Sequence, residues 1–230
     1  IGVPVIHEVA AGAGAEYFNE ISPPGKRALA LVTTGPGLTN IVTSISGAWL
    51  ESRELLIIGG QVKVSDLSSG GLRGRGIQEI DGVGLVRSIT KVAEQLRSPI
   101  SATNFKDIVS QSWIPRKGTV FLEVPLDVSA ATVDQESIGE VPILDLPTIN
   151  ESELQDVLDR FNSSRKPILL IGGGVSYEVS CLLHQRLNET LIPAMTTYNG
   201  ADRVDGYAPN YLGRPNTWGQ RSSNIIIQQS

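Results

Sequence analysis

The sequence predicts an α/β fold with two doubly wound parallel-sheet domains. Short apolar runs of β type alternate with helical patterns along nearly the whole chain. Continuous apolar strands separated by amphipathic helices are typical of a parallel sheet covered on both faces. A polar, aperiodic segment from Leu126 to Thr148 interrupts this alternation, which then restarts. We therefore expect a first domain at residues 1–128, a linker at 129–149 and a second domain at 150–230.

The elements of the first domain follow from local patterns. The apolar runs "VPVI", "ALALVTT", "ELLIIGG" and "TVFLEVPLD" are predicted strands. "VPVI" is followed by a segment of Ala, Gly and Val, which is predicted to be a helix that begins near Glu8. The second helix has one apolar stripe with i, i+3, i+4, i+7 spacing, formed by Leu38, Ile41, Val42, Ile45, Ala48 and Trp49. A further helix is expected at about residues 104–113.

The second domain repeats the alternation. Asn150 is a predicted N-cap with Glu153 at the third position, and the apolar side chains after it are expected on one helical face. "KPILLIGGG" is a predicted buried strand that ends in glycines. Another helix and the short strand "LIPAMTT" follow.

Composition excludes several classes of protein. The 230 residues carry a net charge of −5 and no cluster of Lys and Arg, which argues against a surface for nucleic acid or anionic membranes. No apolar run approaches the ~20 residues of a membrane-spanning helix. A single cysteine, Cys181, excludes a disulfide framework and favours a reducing, cytoplasmic compartment. The first residue is not Met, and we expect the chain to be a piece of a longer protein.

Unusual residues follow several predicted strands, where ligands bind in open α/β sheets. "TTGPGLTN" predicts a tight turn before a helix, which either binds an anion or polar ligand or is a purely structural turn. Gly172, Gly173 and Gly174 resemble a nucleotide-binding turn. Tyr177 stands where the third glycine of that pattern belongs, so a structural turn is favoured. No His/Cys pair has metal-ligand spacing, and no G-x-S-x-G is present.

Glu8 is the candidate for acid–base chemistry. Two simpler interpretations are a solvated carboxylate that favours the helix dipole and a partner for a nearby lysine. A buried Glu8 would instead have a raised pKa, as proton transfer requires. His7 is expected to be a core histidine and His184 a surface residue.

Four motifs together resemble a known family. "HEVAAGAGAEYF", "ALVTTGPGLTNIVTSISGAWLESRELLIIGGQV", "GIQEIDGVGLVRSITK" and "GTVFLEVPLDV" occur in the order seen in thiamine diphosphate-dependent enzymes of the acetolactate synthase type. The first domain is similar to their pyrimidine-binding domain. "KPILLIGGG" and "YLGRPNTWGQRSSN" are similar to their Rossmann-like central domain. The family's first strands and its C-terminal domain, which holds Mg²⁺ and the diphosphate, have no counterpart in this sequence.

The resemblance implies roles for individual residues. Glu8 falls on the glutamate that hydrogen-bonds N1′ of the cofactor and so promotes formation of the C2 ylide, which attacks a 2-keto acid and yields an enamine. Gln78 matches a position at the reacting centre. The cofactor-binding residues implied are Gly35, Pro36, Gly37, Asn40 and Gln61. Gly172–Gly174 match a turn that binds FAD in some relatives and not in others.

The implied activity is that of a carboligase or lyase acting on pyruvate or a related 2-keto acid, in a homodimer or homotetramer with the active site between subunits. The sequence departs from the pattern at Ile77, where acetolactate synthases commonly have Phe, and at Val9 and Tyr17. These departures leave the donor and acceptor open. A 2-keto acid decarboxylase, an acyl-transferring relative and a non-catalytic nucleotide-binding module remain as alternatives.

Overall fold

The computed structural model describes residues 1–23, 25–68, 70–133, 149–190 and 192–230. The chain forms two compact units, Ile1–Leu144 and Asp145–Ser230. Most of the predicted linker, residues 134–148, lies outside the described residues.

The first unit contains a four-stranded parallel sheet in the order β1-β2-β4-β3. Its strands are β1 (Ala30–Val32), β2 (Leu55–Gln61), β3 (Val92–Gln95) and β4 (Thr119–Pro125). Its helices are α1 (Glu8–Ile21), α2 (Pro36–Glu51), α3 (Gly82–Val86), α4 (Ala102–Ser110) and α5 (Leu126–Ser129). The parallel α/β arrangement predicted from the sequence is confirmed.

Successive side chains of β4 explain how both faces of this sheet are covered. Phe121 lies in the core formed with α1, α2 and α3. Val120 and Leu122 instead pack with side chains of α4, in a second core that includes Val109. Because adjacent strand residues point to opposite faces, one strand contributes to both cores, which is why its apolar run is continuous.

The second unit is a smaller parallel arrangement. Strands β5 (Leu169–Ile171) and β6 (Ala194–Thr196) form a two-stranded sheet, and the helices are α6 (Glu151–Ser163), α7 (Tyr177–Glu189) and α8 (Arg221–Gln228). The capping box predicted at Asn150 and Glu153 is present. The apolar face of α6 is largely exposed, with Leu154, Val157 and Leu158 each more than 40% accessible.

The prediction that "VPVI" forms the first strand is wrong. Residues 1–7 have no strand structure and all are exposed, including Ile6. Within the described residues no strand pairs with this segment, and the sheet ends at β1. An apolar run forms a strand only where a neighbouring strand accepts its backbone hydrogen bonds, and local sequence does not specify that neighbour.

Candidate functional site

The turn between β1 and α2 brings several predicted site residues together. Gly35 has φ of +63°, which glycine adopts without a steric penalty, and Pro36 begins α2. A Cβ atom on Gly35 would lie 2.5 Å from the backbone oxygen of Gln78. The loop that carries Gln78 therefore approaches this turn as closely as a glycine permits.

Gln78 lies in an exposed loop with left-handed backbone geometry, at φ of +59°. The next residue, Glu79, organises this loop. Its carboxylate accepts hydrogen bonds from the backbone N–H groups of Ser68, Arg75 and Gly76. These three donors lower the pKa of Glu79, which stays ionised. Ile77, the position of departure from the family pattern, is 86% exposed.

Glu8 and Asn40 form the second part of the site. Glu8 is the first residue of α1 and Asn40 lies in the second turn of α2, and the Asn40 amide Nδ2 donates to Glu8 Oε2 at 2.6 Å. His7 Nε2 lies 3.5 Å from the same amide nitrogen. The pair meets because α1 and α2 pack closely: a Cβ on Gly12 would lie 2.5 Å from Ser44 Cβ.

Two expectations, one about Glu8 and one about its neighbour His7, are wrong in the described residues. Glu8 is only half-buried, and its pKa is lowered, chiefly by the Asn40 hydrogen bond, which stabilises the ionised carboxylate. The raised pKa expected from burial is therefore not observed. His7 is exposed, so it is not a core histidine. The physical reason is the same in both cases, because the segment before α1 is not a buried strand. His184, expected at the surface, is half-buried in α7.

Gln61 ends β2 and connects the two loops. Its Oε1 accepts from the Thr34 hydroxyl at 3.1 Å, and its Nε2 donates to the Ile80 carbonyl at 2.9 Å. A second donation, at 3.0 Å, goes to Glu123 Oε1. Gln61 is 5% exposed and Glu123 is fully buried.

Sequence reasoning missed Glu123, Thr34 and Glu79. Glu123 had a usable signal, since it is a carboxylate within the apolar strand "TVFLEVP". A charged residue at such a position requires hydrogen-bond partners in the interior. Glu79 had no comparable signal, because its partners are backbone groups of a loop.

A cavity of about 570 Å³ adjoins the Gly35 turn and the Gln78 loop. Pro36, Thr39 and Asp81 also line it. The predicted site residues of the first unit thus form two contacting groups, Glu8 with Asn40 and Gly35 with Gln78, joined by the start of α2. Gln61 is linked to the second group.

Gly172–Gly174 lie in the second unit, after β5, and α7 begins only at Tyr177, with Ser176 as its N-cap. A Cβ on Gly173 would lie 2.6 Å from the Asn199 carbonyl oxygen. This glycine is therefore required by a close backbone approach inside the unit. That structural need is sufficient to explain it without a bound nucleotide.

Within the described ranges, no three His, Cys, Asp or Glu side chains are grouped so that they could hold a metal ion. Among the same residues, no helix is long and apolar enough to span a membrane.

Comparisons with known proteins find matches for both units of the chain. The family model "Thiamine pyrophosphate enzyme, N-terminal TPP binding domain" matches residues 2–95, and "Thiamine pyrophosphate enzyme, central domain" matches residues 154–230. The chain is 33% identical to the acetolactate synthase large subunit of Lactococcus lactis subsp. lactis, over 97% of this chain and 39% of that protein. It is 28% identical to the acetolactate synthase isozyme 2 large subunit of Escherichia coli, over 89% of this chain and 37% of that protein.

The mitochondrial acetolactate synthase catalytic subunit of Saccharomyces cerevisiae is 29% identical, over 97% of this chain and 34% of that protein. The chain thus spans less than two fifths of the length of these curated relatives. Together, the two family models cover most of the chain, and they match the two compact units in order. The chain therefore belongs to the thiamine pyrophosphate enzyme family, with an N-terminal thiamine pyrophosphate-binding domain followed by a central domain, and is related to acetolactate synthases.

Proposed function

We propose that the protein is a thiamine diphosphate-dependent carboligase or lyase, similar to acetolactate synthase, that acts on pyruvate or a related 2-keto acid. The observation that carries this proposal is the hydrogen bond between Asn40 and Glu8, at the start of α2 and next to the contact between Gly35 and Gln78. Asn40 thus holds the Glu8 carboxylate near the start of α2, and Gln78 lies against the glycine turn that precedes this helix.

The residues present fit this cofactor. When bound, thiamine diphosphate supplies a thiazolium that stabilises a carbanion derived from the substrate. An aminopyrimidine ring offers a nitrogen to a carboxylate, and Glu8 provides one whose Oε2 is already held by Asn40. The amide of Asn40 restricts the orientation of the carboxylate, so that Glu8 can hold or release a proton at a defined position.

In the chain described here, the Asn40 hydrogen bond favours the ionised form of Glu8. A carboxylate that must share a proton with a ring nitrogen needs a pKa closer to neutrality. We therefore propose that a neighbouring subunit and the cofactor complete the environment of Glu8, since removal of water raises a carboxyl pKa. The exposed side chains of Tyr17, Phe18 and Ile21 on α1 support an association of this kind.

The remaining features of the holoenzyme are proposed from the resemblance to the family. We propose a homodimer or homotetramer with the active site between subunits, and Mg²⁺ bound with the diphosphate largely by residues outside this chain. Gly172–Gly174 are the candidate turn for FAD. The cytoplasm is the proposed compartment.

The test uses the full-length protein with pyruvate, thiamine diphosphate and Mg²⁺. We expect Glu8→Gln to lower the rate of C2 proton exchange and turnover by about 10²–10⁴-fold, the usual contribution of a positioned acid–base group. Glu151→Gln is the matched control, because Glu151 is also an acidic residue in the first turn of a helix, α6 in the second unit. Wild-type rates in Glu8→Gln would contradict the proposed role.

Product analysis distinguishes the carboligase from a decarboxylase or an acyl-transferring relative. With an acceptor keto acid or aldehyde present, the carboligase forms a new carbon–carbon bond, whereas a decarboxylase releases the aldehyde with or without an acceptor. Binding of adenine nucleotides without binding of thiamine diphosphate by the complete protein would instead support a non-catalytic module.

A further inference from the structure

We propose that Gln61 and Glu123 form a buried positioning pair, which holds the segment that carries Gln78 against the Gly35 turn. Gln61 then acts on the reaction through this segment and not as a direct polar ligand of the cofactor. The inference rests on the proposed function, and it assigns Gln61 a more specific role than the cofactor binding implied by the family resemblance.

The side-chain amide of Gln61 has no free hydrogen-bonding capacity. Its two N–H groups donate to the Ile80 carbonyl and to Glu123, and its oxygen accepts from the Thr34 hydroxyl and from the backbone N–H of Val62. An amide has two donors and two acceptor sites, so all four are used. The backbone partners also fix the orientation of the amide, since Val62 N–H requires the oxygen and the Ile80 carbonyl requires the nitrogen.

Glu123 accepts a hydrogen bond from one of the two N–H groups of this amide. It lies on β4, is 0% exposed, and accepts from Gln61 on one oxygen and from the Gln95 amide on the other. A buried carboxylate is costly unless donors satisfy its oxygens. Loss of the Gln61 contact would leave one oxygen without that donor in the interior, so the pair has one strongly preferred arrangement.

The pair acts on Gln78 through two neighbouring residues. Ile80 follows Gln78 by two positions and is tied to Gln61. Gly82 packs directly on the carboxylate, since a Cβ on Gly82 would overlap Glu123 Oε1. On its other side, the backbone of Gln78 lies against Gly35, so closely that a side chain at Gly35 would clash with it. The segment is thus confined between the turn and the end of the sheet.

Burial also argues against direct contact between Gln61 and a ligand. Its side chain is 5% exposed, whereas Gln78 is exposed. A ligand could bind the Gln61 amide only by replacing one of its four internal partners, and the displaced group would lose a hydrogen bond in the interior.

Limited proteolysis of the full-length protein tests the positioning role without any cofactor. Arg73 and Arg75 are exposed trypsin sites in the loop before Gln78. We expect Gln61→Met to accelerate cleavage after these arginines by about 5–10-fold, which corresponds to the loss of one internal hydrogen bond that opposes opening. Gln155→Met is the control: Gln155 lies on α6 of the second unit, its amide donates to Asp159 Oδ1, and its replacement should leave cleavage at the wild-type rate.

Cofactor binding then separates the two roles of Gln61. For Gln61→Met we expect the dissociation constant of thiamine diphosphate to stay within about twofold of wild type, while turnover falls by about tenfold or more, because an interaction that orients the reacting groups is lost. Cleavage of Gln61→Met at the rate of wild type and of Gln155→Met would overturn the proposal. So would weakened cofactor binding with unchanged loop cleavage, which would make Gln61 a direct ligand.

Gln61→Asn is a second test variant, for use if Gln61→Met does not fold. It retains an amide at this buried position but is one methylene too short to reach both Ile80 and Glu123, so we expect the same direction of change. A wild-type protein that binds no thiamine diphosphate would refute the proposed function. The proteolysis comparison would still decide the positioning role.

Discussion

Glu16 has an ionisation equilibrium that should be visible in stability measurements. It lies on α1, is 6% exposed, and its carboxylate Oε1 is 3.7 Å from Arg53 Nη1. Burial raises its pKa to about 7 from an ordinary value of 4.5, and the attraction of Arg53 offsets only part of this effect. Glu16→Gln replaces the carboxyl with a neutral group of the same size.

The sign of the effect follows from proton linkage. Because the folded-state pKa is raised, the folded protein binds more protons than the unfolded chain from about pH 4.5 to 7, and stability falls as the pH rises through this range. Relative to a carboxyl of ordinary pKa, a raise from 4.5 to about 7 destabilises the protein by about 1 kcal/mol at pH 5.5 and by about 3 kcal/mol at pH 8. The contribution of Glu16 between these two values is therefore about 2 kcal/mol.

The assay is urea unfolding of wild type and Glu16→Gln at several pH values. Tryptophan fluorescence is a suitable probe of the first unit, because Trp49 and Trp113 are half-buried there, whereas Trp218 of the second unit is 93% exposed. We expect the variant to gain about 2 kcal/mol relative to wild type from about pH 5.5 to pH 8. Parallel pH profiles for the two proteins would refute the reasoning, since other groups titrate in both.

Three further predictions concern glycines and the Glu8 environment. Gly12→Ala should destabilise the first unit by about 1–3 kcal/mol in urea unfolding, because the new Cβ would overlap Ser44 of α2. Gly14→Ala is the control: its Cβ would meet no atom of another element within 4 Å, and it should be neutral or stabilising by up to about 1 kcal/mol. Gly35→Ala should destabilise by about 1–3 kcal/mol and accelerate tryptic cleavage of the adjoining loop, since its φ is +63° and its Cβ would strike the backbone of that loop; unchanged cleavage would contradict this. Asn40→Ala should raise the pKa of Glu8 towards its ordinary value in a carboxyl NMR titration, because that hydrogen bond is the largest cause of its lowered pKa, and an unchanged or lower value would contradict the assignment.

Much of the fold is legible in the sequence. The apolar runs that became β1, β2, β4, β5 and β6 are continuous, and the stripe that starts at Leu38 identified α2. Strand β3, by contrast, was not predicted. Its four residues include Glu94 and Gln95, so neither alternation nor an apolar run marks it. It forms because β4 offers it an edge.

The site residues likewise fall into those that the sequence predicts and those that it does not. Gly35 and Pro36 could be predicted because a strand-to-helix turn requires their particular backbone geometries. The partners of Gln61 could not, since Thr34, Ile80 and Glu123 come from three separate parts of the chain. Which side chains meet at the end of a sheet depends on strand order, and strand order is not a local property.

By itself, the sequence determined that this is an α/β chain of two parallel units with motifs similar to those of thiamine diphosphate enzymes, because periodicity, turn chemistry and motif order are local or linear properties. The tertiary structure alone decided the protonation of its carboxylates. Glu8 has a lowered pKa and Glu16 a raised one, although both lie on α1. The physical reason is that a carboxyl pKa depends on neighbouring donors and on burial: the Asn40 amide of α2 lowers the pKa of Glu8, whereas burial raises that of Glu16 by more than Arg53 lowers it.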